Sequence, residues 1–405
     1  MFRFLFSKRD EGLNCKRKIF GISITTKPDR LKLKQLDERL EKLKKENTIL
    51  NNLISQFSYS NLNKDYISNL DSTKPFVSVI ITVYNLGQRY LVQCLESVIN
   101  QTLKNIEIIL VNDCSLLEDD DKVCTYYADK DKRIKYIKND INLGAGKSRM
   151  VGLSQSKGYS VSFIDGDDFL SLNLYEIAFY EMIKNNVEIV CYNYNMFNVN
   201  DMTFRNSNIE YTPYVCMYGE SIIEFYSSKN NPLDMGLWSK LYSRELLEKL
   251  DSDSIINRNR ADDITYNFKI FLHARSFLYI PLNLYFYTFN RNTSITNSSI
   301  KNDKYFTDIR DAFIDINSYL IKNNFEKYVL YLNGLFSHFF IDLYEVALYM
   351  NRVNKTYHYL ELLQTIINEF VQNKIIDRNI LLENIKILTD RLGIIEWYNK
   401  NIKGL

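Results

Sequence analysis

Three aspartates occur within four residues, at Asp165, Asp167 and Asp168 in the segment FIDGDD. Carboxylates crowded in a partly dry cleft repel one another, so the cluster favours a bound cation. Oxygen ligands without His or Cys indicate Mg²⁺ or Mn²⁺, which keeps water and completes its shell with substrate phosphates. The alternative interpretation is a solvated loop in which Asp167 or Asp168 caps the next helix.

The aspartate cluster follows an apolar run, and similar runs recur along the chain. Five of them predict strands, at 77–83, 106–111, 133–137, 159–164 and 187–192. Helical patterns of roughly 10–15 residues lie between them, which predicts βαβ units and a mostly parallel sheet. Ligands of such sheets bind beyond the carboxyl ends of the strands. Because Tyr84, Asp113 and the cluster all lie there, the position favours a diphosphate–metal site.

The segment Gly144–Ser148 (GAGKS) resembles the end of a Walker A loop. That motif requires Gly where this chain has Ile141, and it should directly follow a strand. Both departures argue against a P-loop NTPase. The start of the helix still favours negative charge nearby, and Arg149 could reach phosphates.

Composition narrows the class of protein. The chain has 405 residues, of which 46% are hydrophobic and 25% charged, as expected of a soluble globular protein with two or three domains. Lys and Arg number 51 against 49 Asp and Glu, which gives no overall reason to expect nucleic-acid binding. Six Cys without a CxxC pair and three His argue against a zinc site or a disulfide scaffold. The N-terminus has too short an apolar core for a secretory signal, so we expect a cytoplasmic protein.

Charge is concentrated at the start of the chain. Residues 1–34 contain ten Lys or Arg and three Asp or Glu, a net charge of +7, interleaved with large apolar residues. We interpret residues 1–32 as a basic and aromatic segment that could bind an anionic membrane surface at the inner face of the membrane. The alternative is a small satellite subdomain with a solvated basic face.

A heptad pattern follows in residues 33–57. Leu and Ile, with one Asn, occupy the first position of each heptad, and Leu and Phe the fourth: Leu33, Leu40, Asn47 and Ile54, then Leu36, Leu43, Leu50 and Phe57. A single Asn in the seam favours a parallel dimeric coiled coil. An amphipathic helix packed on its own chain is the alternative. Residues 58–74 are predicted to be a linker.

Residues 300–405 differ from the preceding part. Apolar residues recur there at helical spacing and proline is absent, which predicts several packed α-helices. Their aromatic stripes are most simply core, although they could also form a lid or a wall for a lipid-linked acceptor.

Seven segments resemble the successive motifs of family-2 inverting glycosyltransferases of GT-A fold. They are VSVIITVYN, IEIILVND, NLGAGKSRMVGL, FIDGDD, GLWSKLYSRELL, ADDITYNFKIF and LYFYTFNRNTSIT, in that order. The resemblance implies an α/β fold with a Rossmann-like, mostly parallel sheet over residues 75–299. An N-terminal coiled-coil helix and a C-terminal helical region, 300–405, would flank this domain.

The resemblance implies a nucleotide site built from five residues. Thr82 and Tyr84 would lie near the nucleobase and ribose, and Asp113 would accept a hydrogen bond from the base. Arg149 matches the arginine of the family's ARN motif, near the nucleobase or diphosphate, although Ser148 and Met150 flank it here. Asp165, the first residue of the DxD motif, would hold the ribose.

The catalytic and acceptor residues are also implied by the resemblance. Asp167 or Asp168 would hold Mn²⁺ or Mg²⁺. Asp262 and Asp263 match the family's Glu-Asp pair, with Asp263 as the general base and Asp262 as its support. The other matches are Trp238 and Lys240, bordering the acceptor pocket, and Arg291, near the diphosphate.

The function implied is the inverting, metal-dependent transfer of a sugar from a nucleotide-diphosphate sugar, with UDP favoured. The acceptor would be a saccharide or a lipid-linked saccharide in capsule, polysaccharide or oligosaccharide biosynthesis. One alternative is a catalytically silent coiled-coil scaffold of a glycan-assembly complex. The other is a nucleotidyltransferase, which would require a Gly-rich basic loop after the first strand, where this chain has YNLGQR.

Overall fold

The computed structural model describes most of residues 70–388 and short parts of the N-terminal segment. The described residues are 6–11, 14–19, 22–26, 70–206, 215–228, 235–250, 261–289, 303–354, 356–388, 397 and 400. The chain divides into two compact units, residues 1–64 and 65–405. The predicted coiled coil at 33–57 and the predicted diphosphate contact of Arg291 lie outside the described residues.

The first unit contains a three-stranded antiparallel sheet, β1–β2–β3. Its strands are Phe6–Glu11 (β1), Asn14–Ile19 (β2) and Ile22–Thr26 (β3). Lys8 pairs in register with Arg17, and Arg9 with Lys16. The register therefore places basic residues of β1 opposite basic residues of β2.

The second unit is built on one large sheet, to which ten strands contribute in the described part of the chain. The strands are β4 (Val77–Val83), β5 (Ile106–Asn112), β6 (Ile134–Lys138), β7 (Ser160–Asp165), β8 (Phe169–Leu170), β9 (Ile189–Asn198), β10 (Thr203–Asn206), β11 (Val215–Tyr218), β12 (Lys240–Ser243) and β13 (Ser276–Phe289). The first helices are α1 (Gln88–Ile99), α2 (Glu118–Lys130), α3 (Ala145–Ser154), α4 (Leu174–Asn185), α5 (Ser221–Tyr226), α6 (Arg244–Leu247) and α7 (Asp262–His273).

Strands β6, β5, β4 and β7 form a parallel core in that order. All seven residues of β4 except Thr82 are buried, as the near-continuous apolar run Val77–Val83 predicts for a strand covered on both faces. The five predicted strands are all present. The fifth runs longer than its apolar run, to Asn198, because β13 pairs with it over most of its length.

Beyond β7 the sheet becomes mixed. The four-residue β12 is inserted antiparallel between β7 and β9. β13 runs parallel to β9, while β8 and β11 pair antiparallel with β13. A four-residue segment such as KLYS is too short to show a period, which is why the sequence did not indicate this strand.

Helices follow in the C-terminal part, as predicted: α8 (Lys304–Lys322), α9 (Val329–Asn354), α10 (His358–Gln372) and α11 (Arg378–Leu388). Their apolar stripes form core, with the Phe313 ring 5.0 Å from Phe336 and 5.9 Å from Phe370. This core is continuous with that of the sheet. None of the described helices is both long and apolar enough for a membrane span.

Candidate active site

Three strand ends bring four of the predicted nucleotide residues to one edge of the sheet. Thr82, near the end of β4, lies in register with Asp165, the last residue of β7. Tyr84 follows two residues later with 37% of its surface exposed. Asp113 comes directly after β5. The structure therefore assembles these four residues at the carboxyl ends of parallel strands, where ligands of such sheets bind.

Asp113 is 3% exposed and holds the loop that precedes α3. Its Oδ1 accepts hydrogen bonds from Asn139 Nδ2 at 3.0 Å and from the Leu143 N–H at 2.7 Å. Its Oδ2 accepts from the Gly144 N–H at 2.8 Å. Gly144 adopts a φ of 83°, which disfavours a side chain. The contacts of Asp113 thus set the start of the helix that carries Arg149.

Asp120 has no counterpart among the predicted site residues. It is fully buried in α2, and its carboxylate accepts from the Leu86 and Gly87 N–H groups at 2.9 and 2.8 Å and from Ser115 Oγ at 2.7 Å. It therefore ties the loop after β4 to the loop after β5. The sequence did not single out Asp120, because it lies in a run of acidic residues at 118–121. Acidic residues in the first turn of a helix are expected from the helix dipole alone.

Arg149 joins the donor-side aspartate to the predicted general base. Its Nη2 donates to Asp165 Oδ1 at 2.7 Å, and its Nη1 donates to Asp263 Oδ1 at 2.6 Å. The arginine side chain is 5% exposed, whereas the Asp165 and Asp263 side chains are 30% and 25% exposed. Residues from α3, β7 and α7 thus meet at one point.

The opposite charges of Arg149 and of its two partners, Asp165 and Asp263, favour both ion pairs. Burial by itself would lower the pKa of Arg149, but the negative charges of Asp263 and Asp165 outweigh it and raise that pKa above its usual range. A buried guanidinium is tolerated only where carboxylates compensate its charge. Arg149 is therefore a fixed cation between two partly exposed carboxylates.

Asp262 and Asp263 are the first two residues of α7. Carboxylates in the first turn interact favourably with the partial positive charge of a helix N-terminus. Asp262 is 7% exposed, whereas the Asp263 side chain is 25% exposed. The accessible member of the pair is the one that the resemblance implies to be the base.

Asp167 and Asp168 differ in their surroundings. Asp167 is partly exposed, whereas Asp168 is 1% exposed. Asp168 Oδ2 accepts from Tyr285 Oη at 2.5 Å and Oδ1 from the Thr288 N–H at 2.7 Å. Burial, followed by the charges of Asp167 and Asp165, raises the pKa of Asp168 well above its usual value. Asp168 thus anchors the acidic loop to β13, and Asp167 is the better placed of the two for a metal.

Gly166 allows the acidic loop to pass close to β4. A Cβ at this position would lie 2.8 Å from the Thr82 carbonyl oxygen and 2.5 Å from Leu86 Cδ1. Real Cβ atoms do not approach backbone so closely, so only glycine fits here. The spacing DGD is therefore set by packing as well as by chemistry.

Carboxylates of the acidic loop suit a hard cation that is completed by substrate. Among the described residues, no three His, Cys, Asp or Glu side chains form a group that could hold a metal ion by themselves. Mg²⁺ and similar ions are commonly held by one or two carboxylates together with water and phosphate oxygens. The donor set at Asp165 and Asp167 fits this kind of binding.

The predicted acceptor residue Trp238 is linked to Asp168 through Tyr285, which contacts both residues. Trp238 is 7% exposed and stacks on Tyr285 and Tyr287, with ring centroids 4.7 and 5.6 Å away. Lys240 is fully buried, and its Nζ donates to the Gly236 carbonyl oxygen at 2.6 Å. Lys240 is buried because β12, which begins at this residue, is inserted between β7 and β9, so it offers no exposed charge to an acceptor in this structure.

Comparison with known proteins defines the class of this fold and site. Residues 78–251 match the model of the family described as Glycosyl transferase family 2. The resemblance to glycosyl transferase family 2 that the motifs indicated is therefore confirmed over this segment. The expected class of enzyme, a glycosyltransferase, is confirmed by the same match and by curated relatives.

Two curated relatives illustrate the likeness. Glycosyltransferase GlyA of Streptococcus pneumoniae serotype 4 is 31% identical over 222 residues, which are 54% of this chain and 31% of GlyA. Cholesterol galactosyltransferase of Borreliella burgdorferi is 32% identical over 230 residues, which are 55% of this chain and 62% of that relative. The chain therefore spans about a third of GlyA and less than two thirds of the second protein.

A solved structure supports the fold. The crystal structure of S. aureus TarS residues 1–349 in complex with UDP-GlcNAc has 19% sequence identity to this chain and a TM-score of 0.59. The alignment covers 81% of this chain and 90% of that one. The predicted fold class, a GT-A-like α/β domain with a C-terminal helical region, is confirmed by this likeness.

Proposed function

We propose that this protein transfers a sugar from a nucleotide-diphosphate sugar, with UDP as the nucleotide, to a hydroxyl of a saccharide or lipid-linked saccharide. The observation that supports this most directly is the meeting of Asp165, Arg149 and Asp263 at the carboxyl edge of a family-2 glycosyltransferase domain. This arrangement links Asp165, on the donor side, to Asp263, a partly exposed carboxylate that can take a proton.

The donor binds across the ends of β4, β5 and β7. Tyr84 is exposed enough to cover the nucleobase, and Thr82 and Asp165 lie side by side for the ribose. Asp113 and Asp120 fix the loops around them through backbone N–H groups. UDP is favoured because TarS, which has the same fold, is described in complex with UDP-GlcNAc.

The reaction is a single displacement. Asp263 accepts the proton of the acceptor hydroxyl on the face opposite the leaving group. The hydroxyl oxygen forms the bond to the anomeric carbon while the nucleotide diphosphate departs, so the configuration at that carbon inverts. A protein nucleophile is not needed for this mechanism.

A divalent cation, Mn²⁺ or Mg²⁺, belongs to the proposal. Asp167 would hold it, with Asp168 fixing the loop from its buried position. Bound there, the cation would offset the negative charge that develops on the departing diphosphate. The partly exposed Asp167 and Asp165 are oxygen donors of the kind such ions prefer.

The acceptor would bind beside Trp238 and Tyr287. The partly exposed Tyr287 stacks with the indole, and together they form an apolar wall suited to the face of a sugar ring. A role in assembling a surface polysaccharide or capsule is the biological setting that we propose for this reaction.

The proposal is tested with the purified full chain and a panel of UDP-sugars, with UDP-GlcNAc, UDP-glucose and UDP-galactose each incubated with Mn²⁺. The release of UDP from each donor is measured with and without excess EDTA. The binding of UDP is measured by titration calorimetry under the same two conditions. We expect UDP to bind and one donor to release UDP only with the metal. The Asp167→Asn variant, which removes the charge of the proposed metal ligand and keeps the side-chain shape, should lose the metal-dependent release of UDP. Absence of both nucleotide binding and UDP release would reject the assignment, and full activity in EDTA would reject the metal.

A further inference from the structure

Arg149 is placed where it can control the geometry of the proposed general base. Its α3 follows β6, its first partner Asp165 ends β7, and its second partner Asp263 lies in the first turn of α7. These three elements come from distant parts of the chain, 16 and 114 residues away from Arg149. A single guanidinium therefore sets the distance between the donor side of the site and the base.

The burial of Arg149 determines which groups it can serve. At 5% exposure, its charge is compensated by the two carboxylates at 2.6 and 2.7 Å. Two of its five N–H groups are bound to these carboxylates, so moving the whole guanidinium onto a diphosphate would break both short charge-assisted bonds. It would also leave both partly buried aspartates without their cation, which is costly. The contacts in the structure therefore favour a structural role over a diphosphate contact, which is one of the two positions that the resemblance implied for Arg149.

We propose that Arg149 is a positioning residue for the base: it holds the Asp263 carboxylate in fixed relation to Asp165 and does not bind the donor diphosphate. This inference rests on the proposed function. In the transfer step, the acceptor proton moves to Asp263 while the acceptor oxygen bonds to the anomeric carbon. The electron pair of the broken carbon–oxygen bond leaves with the nucleotide diphosphate. Arg149 exchanges no proton in this step.

A double-mutant cycle tests whether Arg149 acts through Asp263. Turnover is measured as UDP release by the full chain for Arg149→Gln, Asp263→Asn and the double variant. We expect Arg149→Gln to lower turnover about 10²-fold. Because a positioning residue has nothing to position once the base is gone, the double variant should be within about 3-fold of Asp263→Asn. Independent roles would instead multiply the two losses, and that result would overturn the inference.

Nucleotide affinity separates the two roles of Arg149 directly. Under the inference, the UDP dissociation constant of Arg149→Gln should stay within about 3-fold of the wild type, so the loss is in kcat and not in KM. A loss of UDP affinity as large as the loss of turnover would place Arg149 on the diphosphate. Arg149→Lys, which keeps the charge but offers one point of contact, should fall between Gln and the wild type.

Arg244→Gln is the matched control for losing a largely buried arginine. Arg244 Nε donates to the Gly158 carbonyl oxygen at 2.6 Å and Nη2 to Ser156 Oγ at 2.7 Å, at the amino end of β7. The Arg244→Gln variant should keep its turnover within about 3-fold of the wild type. Thermal melting checks that all variants fold. If the wild type neither binds UDP nor releases it from a donor, the proposed function fails and the inference with it. An active wild type with multiplicative losses rejects the inference alone.

Discussion

Asp113, Asp120 and Asp168 are buried carboxylates at the edge of the site, and each binds backbone N–H groups of a neighbouring loop or strand. The sequence could place Asp113 and Asp168 at strand ends, because apolar runs precede them. It could not show which oxygens were already occupied, since partners such as Thr288 lie 120 residues away. Residue type and local pattern predict the location of a carboxylate, whereas its partners depend on the tertiary fold.

The same limit applies to Arg149. Its position in the first turns of a helix could be read from the sequence, and the resemblance implied a role near the nucleobase or diphosphate. Its bonds to Asp165 and Asp263 could not be predicted, because they depend on how α3 and α7 approach β7.

Replacement of the base gives the first prediction. Asp263→Asn keeps the shape of the side chain and can still accept a hydrogen bond from Arg149, but it cannot take a proton. We expect turnover to fall about 10²–10⁴-fold while UDP affinity is retained. Initial rates of UDP release and calorimetric titration measure the two quantities. Turnover equal to that of the wild type would place the base elsewhere.

Removal of Asp120 gives the second prediction. Asp120→Ala leaves the N–H groups of Leu86 and Gly87 without their acceptor in a buried setting. The free energy of unfolding should fall by about 2–3 kcal/mol, and UDP binding should weaken because the loop after β4 loses its support. Urea unfolding and calorimetry measure both.

The neighbouring Asp119 supplies the control for this experiment. Its side chain is 66% exposed, with a long surface ion pair to Lys122 at 3.6 Å, so Asp119→Ala should change stability by less than about 0.5 kcal/mol. Equal effects of the two substitutions would contradict the role of Asp120.

Elements with a clear period were predicted well, and those without one were not. The parallel core β4–β7 follows from runs of β-branched residues, and α8–α11 follow from apolar residues at helical spacing. β12 could not be predicted, because four residues carry no period and because its pairing comes from β7 and β9. The burial of Lys240, which follows from that insertion, was missed for the same reason.

Helix α7 is joined to α8 by a buried ion pair, which gives the third prediction. Lys269 Nζ lies 2.9 Å from Asp315 Oδ2, and the two side chains are 1% and 17% exposed. Lys269→Met or Asp315→Leu alone leaves one charge uncompensated and should lower the free energy of unfolding by about 3 kcal/mol. The double substitution should recover most of that loss, because it removes both charges. Urea unfolding of the three variants checks this, and a double variant less stable than either single one would contradict it.

His273, at the end of α7, gives a prediction for pH. Burial, with a smaller effect from the charge of Lys249, lowers the pKa of His273 below its ordinary value of 6.5. The folded state therefore favours the neutral ring, which bonds to Tyr319 Oη at 2.6 Å. The contribution of His273 to stability is present above pH 6.5 and is lost as the pH falls through the lowered pKa.

Urea midpoints between pH 7.5 and 5.0 measure this effect. The wild type should lose more stability on acidification than His273→Gln, which cannot titrate. Parallel pH profiles for the two proteins would show that the ring does not contribute.

The whole chain consists of two compact units, and the sequence predicted a linker between its N-terminal segments and its main domain. The boundary at residue 64 falls within the segment interpreted as a linker, 58–74. The composition argued against a zinc site or a disulfide scaffold and gave no reason to expect nucleic-acid binding, but composition cannot show what the first unit does. The coiled coil at 33–57 and the membrane contact of residues 1–32 stay predictions.

Removal of the first unit tests the predicted dimer. A variant that starts at Asp65 should have the mass of a monomer by light scattering, whereas the full chain should have that of a dimer. Leu43→Asn and Leu50→Asn, which place polar residues in the heptad seam, should give the same result without truncation. A full chain that is already monomeric would exclude the coiled coil.

The ion pair between Lys269 and Asp315 also limits how this chain can be recombined with its relatives. Helix α7 carries the proposed base at its first turn and the lysine two turns later. A chimera that exchanges the C-terminal helices must therefore bring a carboxylate to the same place, or else strand a cation in the protein interior and shift the base. Swapping donor or acceptor specificity should succeed most readily when the crossover point lies before residue 262 or after residue 388.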